Sequence, residues 1–108
     1  MGADIQYTRT VKLCVDEIAN HLRRNDVDPR EVISTIIEHF ETRVGEFPLN
    51  CQICPELLKL GCAKYRECNT PEGYRVLYSV EGDKITVHAI LAHRQDILQL
   101  LFKRLISV

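Results

Sequence analysis

The fold is decided by Tyr65–Leu101, YRECNTPEGYRVLYSVEGDKITVHAILAHRQDILQLL, which contains three short apolar runs and two groups of turn-forming residues. The runs predict strands near Lys64–Asn69, Tyr74–Val80 and Lys84–Leu91. The Pro-Glu-Gly and Glu-Gly-Asp groups between them favour short turns, and short turns between neighbouring strands predict an antiparallel meander. A last helix is predicted from about Arg94 to Ile106.

The residues before this stretch predict one strand and two amphipathic helices. Ile5–Thr8 has the character of a short first strand, and a helix follows from about Arg9 to Arg24 with Thr8 as a candidate cap. Its apolar residues recur every three or four positions, which indicates one buried face. These residues are Val11, Val15, Ile18 and Leu22.

A second helix is predicted to begin at Pro29 and to end near Gly45. Asp28 is a suitable N-cap, Pro29 suits the first helical position, and Glu31 completes the spacing of a capping box. The following loop is expected to hold one helical turn at Glu56–Leu60. The two long helices should form a hairpin, because only a short polar segment joins them and their apolar faces must be covered.

The predicted order is therefore β-α-α-β-β-β-α in a single domain spanning residues 1–108. This is an α+β fold, in which a helical hairpin packs on one face of a small, mainly antiparallel sheet.

Several short segments carry a resemblance to a known family. They are Arg66-Glu67, the YRVLY run from Tyr74, the VEGDK turn from Val80, and the RQDI segment from Arg94. Together they resemble the RelE/ParE superfamily of bacterial type II toxins, particularly its ParE, or plasmid-stabilisation, branch. The resemblance covers residues 5–106, and the RelE/ParE fold has the same order of elements.

Bulk composition indicates a protein without the strong positive charge of many nucleic-acid binders. The formal net charge is −1 over 108 residues, although residues 64–108 carry 7 basic and 5 acidic side chains. We therefore expect no direct contact with nucleic acid. Apolar runs of membrane-spanning length and a signal peptide are both lacking, so we expect no membrane partner and a cytoplasmic location.

The resemblance implies roles for basic residues in the second half. Arg75 matches the strand arginine of RelE and ParE chains, which in RelE-type ribonucleases stabilises charge at the scissile phosphate. An alternative is that Arg75 pairs with a carboxylate such as Glu67. RelE-type enzymes also use a basic residue at the place of Arg94, and His93 could assist it.

The last predicted helix departs from the RelE pattern. RelE-type enzymes carry an aromatic or imidazole group there for proton transfer, whereas this chain has Leu100 at the matching place and no Tyr or His from Asp96 onward. General acid–base catalysis needs a titratable group within reach of the proton. His88 and His93 are the only nearby substitutes, and we expect His88 to be structural. This departure and the near-neutral charge favour the ParE branch.

Four cysteines lie within a short segment: Cys51, Cys54, Cys62 and Cys68. Cys51 and Cys54 form a C-x-x-C pair, which invites a zinc or redox interpretation. A second tight pair is missing, however, so we expect no metal, no cofactor and reduced thiols that act as small apolar side chains. A zinc site and a regulatory disulfide remain the alternatives, and this segment is not a general feature of the family.

The resemblance implies a ParE-like toxin that binds and inhibits DNA gyrase and is neutralised by a cognate antitoxin. Antitoxin or target binding is expected to use basic and apolar residues of the second half: Arg66, Arg75, Arg94, Leu98 and Phe102. The alternative is a RelE-like ribosome-dependent mRNA endonuclease, which would use Arg75, Arg94 and His93.

Overall fold

A four-stranded mixed sheet with the strand order β1-β4-β3-β2 organises residues 4–92, which are the residues that the computed structural model describes. The strands are β1 (Asp4–Tyr7), β2 (Tyr65–Asn69), β3 (Tyr74–Glu81) and β4 (Lys84–Ala92). The helices are α1 (Arg9–Arg24), α2 (Pro29–Glu46) and the short α3 (Pro55–Leu58). This confirms the predicted α+β class and the predicted order as far as Ala92; the helix predicted from Arg94 to Ile106 lies outside the described residues.

Short turns join the last three strands as the sequence predicts. β2 pairs antiparallel with β3, and β3 pairs antiparallel with β4. Gly73 and Gly82 in the two turns have φ values of +90° and +63°, a backbone conformation that favours glycine. β1 instead pairs parallel with β4, with Ile5 opposite Ile85. A parallel pair needs a long crossover, and α1 and α2 are part of the chain that connects these strands.

The helix ends show two departures from the expected capping. Thr8 precedes α1, but its hydroxyl donates to the backbone carbonyl of His88 at 3.3 Å and makes no capping bond. Asp28 does cap α2, although it accepts from the backbone N–H of Arg30 at 3.1 Å. In a capping box the side chain of Asp28 would accept from the backbone N–H of Glu31 instead. The predicted capping box is therefore wrong, and Asp28 acts as a simple N-cap.

The helical hairpin covers one face of the sheet. α1 packs against β4 and α2, and the ring of Phe40 in α2 meets the ring of Tyr78 edge-on with centroids 5.5 Å apart. Since side chains alternate along a strand, Val76 lies on the same face as Tyr78, whereas Arg75 and Leu77 lie on the opposite face. This alternation separates the core under the hairpin from a second buried layer.

The segment Cys51–Cys62, which we call the cysteine segment, extends the sheet at β2 and covers its second face. Ile53 forms an antiparallel bridge with Arg66, flanked by backbone hydrogen bonds from Cys54 to Tyr65 and from Glu67 to Gln52. Cys54 and Leu57 are buried in the hydrophobic cluster. Both faces of the sheet are thus covered near β2 and β3. None of the described helices has the length and apolar character that crossing a membrane requires.

We predict that the contact between the hairpin and the sheet is a main source of stability. Phe40 is 1% exposed, so Phe40→Ala should lower the free energy of unfolding by about 3–5 kcal/mol, because it leaves a cavity against Tyr78. Phe47 is 60% exposed, and Phe47→Ala should change the free energy of unfolding by less than about 1 kcal/mol. Urea denaturation of both variants measures this, and equal losses would contradict the packing described.

Candidate functional site

The guanidinium of Arg75 is the centre of a charged cluster on the sheet face opposite the hairpin. β3 places Arg75 opposite Leu91 of β4 and Asn69 of β2, so its side chain starts from the middle of the sheet. Its Nη1 donates to Glu56 Oε2 at 3.0 Å and to Glu67 Oε1 at 3.2 Å. The arginine side chain is 12% exposed. The ion pair with Glu67 is the structural alternative that the sequence leaves open for Arg75.

The carboxylate of Glu67 is more deeply buried than its partner arginine and receives further hydrogen bonds. Its side chain is 5% exposed. Oε2 accepts from Gln52 Nε2 at 2.7 Å and from Asn69 Nδ2 at 3.3 Å. Burying a carboxylate is costly unless it is paired and hydrogen-bonded, and Glu67 meets both conditions. Within residues 4–92, the buried Nε of Arg75 has no hydrogen-bond partner.

Glu56 closes the cluster from the cysteine segment. Burial alone would raise the pKa of Glu56, but the hydrogen bond from its own backbone N–H and the bond and charge of Arg75 lower it. Burial alone would lower the pKa of Arg75. The hydrogen bond to Glu56 and the negative charges of Glu56 and Glu67 outweigh burial, so the pKa of Arg75 is raised. Both groups therefore stay ionised at neutral pH, and the cluster carries two carboxylates for one guanidinium.

The same cluster contains the only group of potential metal ligands that the described residues bring together. The ligand atoms of Cys54, Glu56 and Glu67 all lie within 4.8 Å of one another. Cys54 Sγ donates to Glu56 Oε1 at 3.6 Å, and burial raises the pKa of the thiol. Arg75 Nη1 already contacts both carboxylates, so a protein cation lies where a metal ion would bind and offsets one of the two negative charges.

The four neighbouring cysteines divide between the two faces of the sheet. Cys51 contacts Cys68 and Tyr78 on the hairpin side, and all three are buried. Cys54 lies with Glu56 and Glu67 on the opposite side, and Cys62 is partly buried. The C-x-x-C pair therefore does not act as a unit, because an extended backbone directs its two side chains to opposite faces.

Arg66 has a structural role that the sequence does not reveal. Its Nη1 donates to the backbone carbonyl of Cys51 at 2.6 Å and to that of Leu49 at 3.3 Å, so it holds the start of the cysteine segment. The other predicted site residues lie outside the described residues: His93, Arg94, Leu98 and Phe102. The structure therefore brings Arg66 and Arg75 to adjacent strands but does not place a complete binding site.

His88 is engaged within the sheet. Its Nε2 lies 2.8 Å from Ser79 Oγ, and its ring meets the ring of Tyr65 edge-on with centroids 4.9 Å apart. Burial, and secondarily the positive charge of Lys64, lower the pKa of the imidazole, so His88 is neutral at pH 7. These contacts agree with the expectation that His88 is structural.

Glu56 and Gln52 are the members of the cluster that sequence reasoning misses. Glu56 is separated from Arg75 by 19 positions and Gln52 from Glu67 by 15. Neither separation corresponds to the period of a helix or a strand, so periodicity could not have found these contacts.

Residues 5–97 match the family described as "ParE toxin of type II toxin-antitoxin system, parDE". A solved structure titled "Chromosomal ParDE TA system from P. aeruginosa" is similar with a TM-score of 0.64 and 14% sequence identity, covering 83% of this chain and 95% of that chain. At this identity the structural likeness shows the fold alone. No curated protein matches the chain.

We predict that Arg75 is required for stability. Arg75→Ala should lower the free energy of unfolding by about 3–5 kcal/mol, because the buried carboxylate of Glu67 loses its cation. Arg30 is a matched control, since its ion pair with Asp28 is exposed and Arg30→Ala should cost less than about 1 kcal/mol. Adding Glu67→Gln to Arg75→Ala should restore part of the loss. Urea denaturation measures all three, and a loss no larger than that of Arg30→Ala would contradict a buried ion cluster.

Proposed function

Because the chain belongs to the ParE toxin family of type II toxin–antitoxin systems, we propose that it is a toxin that inhibits DNA gyrase and is neutralised by a cognate antitoxin. The observation that carries the proposal is the family match over residues 5–97, which includes every described strand and helix except the first residue of β1. Inhibition by binding requires no catalytic group on the toxin. This is compatible with an Arg75 that is already paired with the carboxylates of Glu56 and Glu67.

Three features of the chain favour gyrase inhibition over RelE-type cleavage of mRNA: the lack of a group for proton transfer, the low net charge and the environment of Arg75. A ribonuclease needs a proton donor or acceptor at the scissile phosphate, and the chain has no Tyr or His from Asp96 onward. His88 already contacts Ser79 and is neutral, so it is a poor substitute. The net charge of −1 also gives little general attraction to RNA.

The environment of Arg75 is the third feature. A phosphate approaching this guanidinium would meet the carboxylates of Glu56 and Glu67, which lie 3.0 and 3.2 Å from Nη1. A phosphate that contacted Nη1 would therefore lie close to both carboxylates, and like charges at short range repel in a partly buried site. Arg75 therefore suits an internal ion cluster better than transition-state stabilisation at a phosphate.

The antitoxin proposal rests on the family together with the character of the second half. A toxin–antitoxin pair is inactive while the antitoxin covers the toxin, so the toxin must present a surface for a tight partner. Residues 64–108 carry 7 basic and 5 acidic side chains, and Leu98 and Phe102 add apolar anchors in the sequence. An acidic amphipathic segment that adds a helix or strand would complement this composition.

We predict that the purified protein inhibits gyrase and does not cleave mRNA. Supercoiling of relaxed plasmid by gyrase should fall steeply as the protein is added and be largely lost at saturation. A translating-ribosome assay should show no codon-specific cleavage. Arg94→Ala and His93→Ala are the variants to compare: cleavage that is present in the wild type and lost in them would establish the endonuclease instead.

We also predict a tight complex with the product of an adjacent gene. Expression of the chain alone should stop growth, with filamentous cells and damaged DNA, and co-expression of the neighbouring gene should restore growth. Affinity purification of the tagged chain should recover that second protein in a heteromeric complex. A chain that is harmless alone and binds no neighbouring product would contradict the toxin assignment.

A further inference from the structure

The pairing of the cysteine segment with β2 brings two cysteines together across the edge of the sheet. Ile53 is opposite Arg66, and strand pairing in this antiparallel register places Cys51 opposite Cys68. We propose that Cys51 and Cys68 form a disulfide bond when the protein meets a low-molecular-weight disulfide oxidant. All five cysteines are free thiols in the structure, which therefore represents the reduced form of the protein.

The hydrogen-bond pattern specifies the type of pair. The backbone N–H of Cys54 donates to Tyr65 at 2.9 Å and that of Glu67 donates to Gln52 at 3.0 Å, so these bonds flank the bridge between Ile53 and Arg66. The bridge is therefore a non-hydrogen-bonded pair, and Cys51 opposite Cys68 is the next pair of that type. Such pairs have Cα atoms about 4.5 Å apart, which is within the range of about 4.4–6.8 Å that a disulfide spans.

Side-chain contacts agree with this register. Burial raises the pKa of the Cys68 thiol and of the Tyr78 hydroxyl, and the thiol of Cys51 lies close enough to both groups to raise the pKa of each further. Arg66 Nη1 donates to the backbone carbonyl of Cys51 at 2.6 Å and so restrains that residue beside β2. The two sulfur atoms therefore need no large backbone movement to bond.

Two of the other cysteines, Cys54 and Cys14, are poorly placed to compete. Cys54 follows Cys51 closely in sequence but lies on the opposite face, where its thiol donates to Glu56. Cys14 belongs to α1, in the hairpin. The sequence pattern favours the C-x-x-C pair, whereas the geometry favours the pair across the ladder.

Burial makes the thiols slow to react while the segment stays closed. Cys51 and Cys68 are 4% and 1% exposed. Burial, then the neighbouring Cys51, raise the pKa of the Cys68 thiol to about 12, and nearby Arg43 opposes this. Because the thiolate is the reactive form, oxidation must proceed through transient opening of the cysteine segment, which is held to β2 by few backbone bonds.

The reaction balances with oxidised glutathione as the oxidant. The Cys51 thiolate attacks one sulfur, the glutathione S–S bond breaks, and one glutathione leaves as a thiolate. The Cys68 thiolate then attacks the sulfur of Cys51 and releases the second glutathione. The two cysteines lose two protons and two electrons in total, and one glutathione disulfide becomes two glutathione thiols.

The new bond would hold the cysteine segment on the sheet. It closes a loop that contains Glu56, so the carboxylate of Glu56 stays over Arg75 and the segment cannot detach from β2. Closing a loop of this size restricts the unfolded chain and stabilises the folded one. Oxidation should therefore raise the melting temperature by at least about 5 °C.

Peptide mapping of the wild-type protein after incubation with oxidised glutathione tests the proposal without any variant. Trypsin should leave peptide 44–59 joined to peptide 67–75, and dithiothreitol should separate them. Peptide 44–59 contains both Cys51 and Cys54, so Cys54→Ser resolves the pairing: the crosslink should persist in it and disappear in Cys51→Ser. Cys62→Ser is a matched control that should keep the crosslink.

The outcomes separate the alternatives. The expected result is one disulfide between Cys51 and Cys68, together with the rise in melting temperature. A bond between Cys51 and Cys54, a bond that uses Cys62, glutathione adducts that never resolve, or complete resistance to oxidation while the protein stays folded would each overturn the proposal.

Discussion

Two backbone hydrogen bonds, from Cys54 to Tyr65 and from Glu67 to Gln52, fix the cysteine segment against β2, and the arrangement of the second sheet face depends on them. In an extended pair, successive side chains point to opposite faces. Gln52 and Cys54 therefore meet Glu67, while Cys51 meets Cys68 and Tyr78. A shift of one residue in this register would exchange the two sets and remove Gln52 from the carboxylate of Glu67.

The consequence of that register is a buried cluster with one cation and two carboxylates. A buried ion pair adds little net stability compared with a well-packed apolar pair, but removal of one partner is costly. The main effect of the cluster is therefore to specify how the cysteine segment packs on the sheet, and its net contribution to stability is smaller. The carboxylate of Glu67 has its hydrogen-bond partners only when Arg75 and Gln52 are both in place. Glu56 joins these residues from α3 and so couples the segment to the middle strand of the sheet.

The elements of the fold could be predicted because each carries its own local signal. The apolar spacing of α1 predicts a helix from Arg9 to Arg24, and the structure has these bounds. Gly73 and Gly82 mark turns that need positive φ, and they separate strands within a residue or so of the predicted ends. The pairing of Arg75 with Glu67 could also be anticipated, because it joins strands that follow each other along the chain.

Contacts made through the cysteine segment could not be predicted in this way. Neither the bridge at Ile53 nor the position of Glu56 has a periodic signal, because the segment is too short and irregular to have a period. The C-x-x-C spacing drew attention to a local pair, and only the strand register shows that Cys51 belongs with Cys68 instead. Thr8 illustrates the same limit: its hydroxyl bonds to the carbonyl of His88, a tertiary contact that prevails over the local cap.

These constraints bear on the choice between the two toxin mechanisms. To present Arg75 to a phosphate, the cysteine segment would have to leave the sheet and expose Cys54 and Leu57, which are now buried. Exposing a leucine-sized side chain costs about 1.5–3 kcal/mol, and the carboxylate of Glu67 would still be paired with the guanidinium. Nuclease chemistry at Arg75 would thus require both an opening that costs burial and an approach against negative charge. Inhibition of a protein target through other surfaces meets neither obstacle, and the physical balance favours the proposed function.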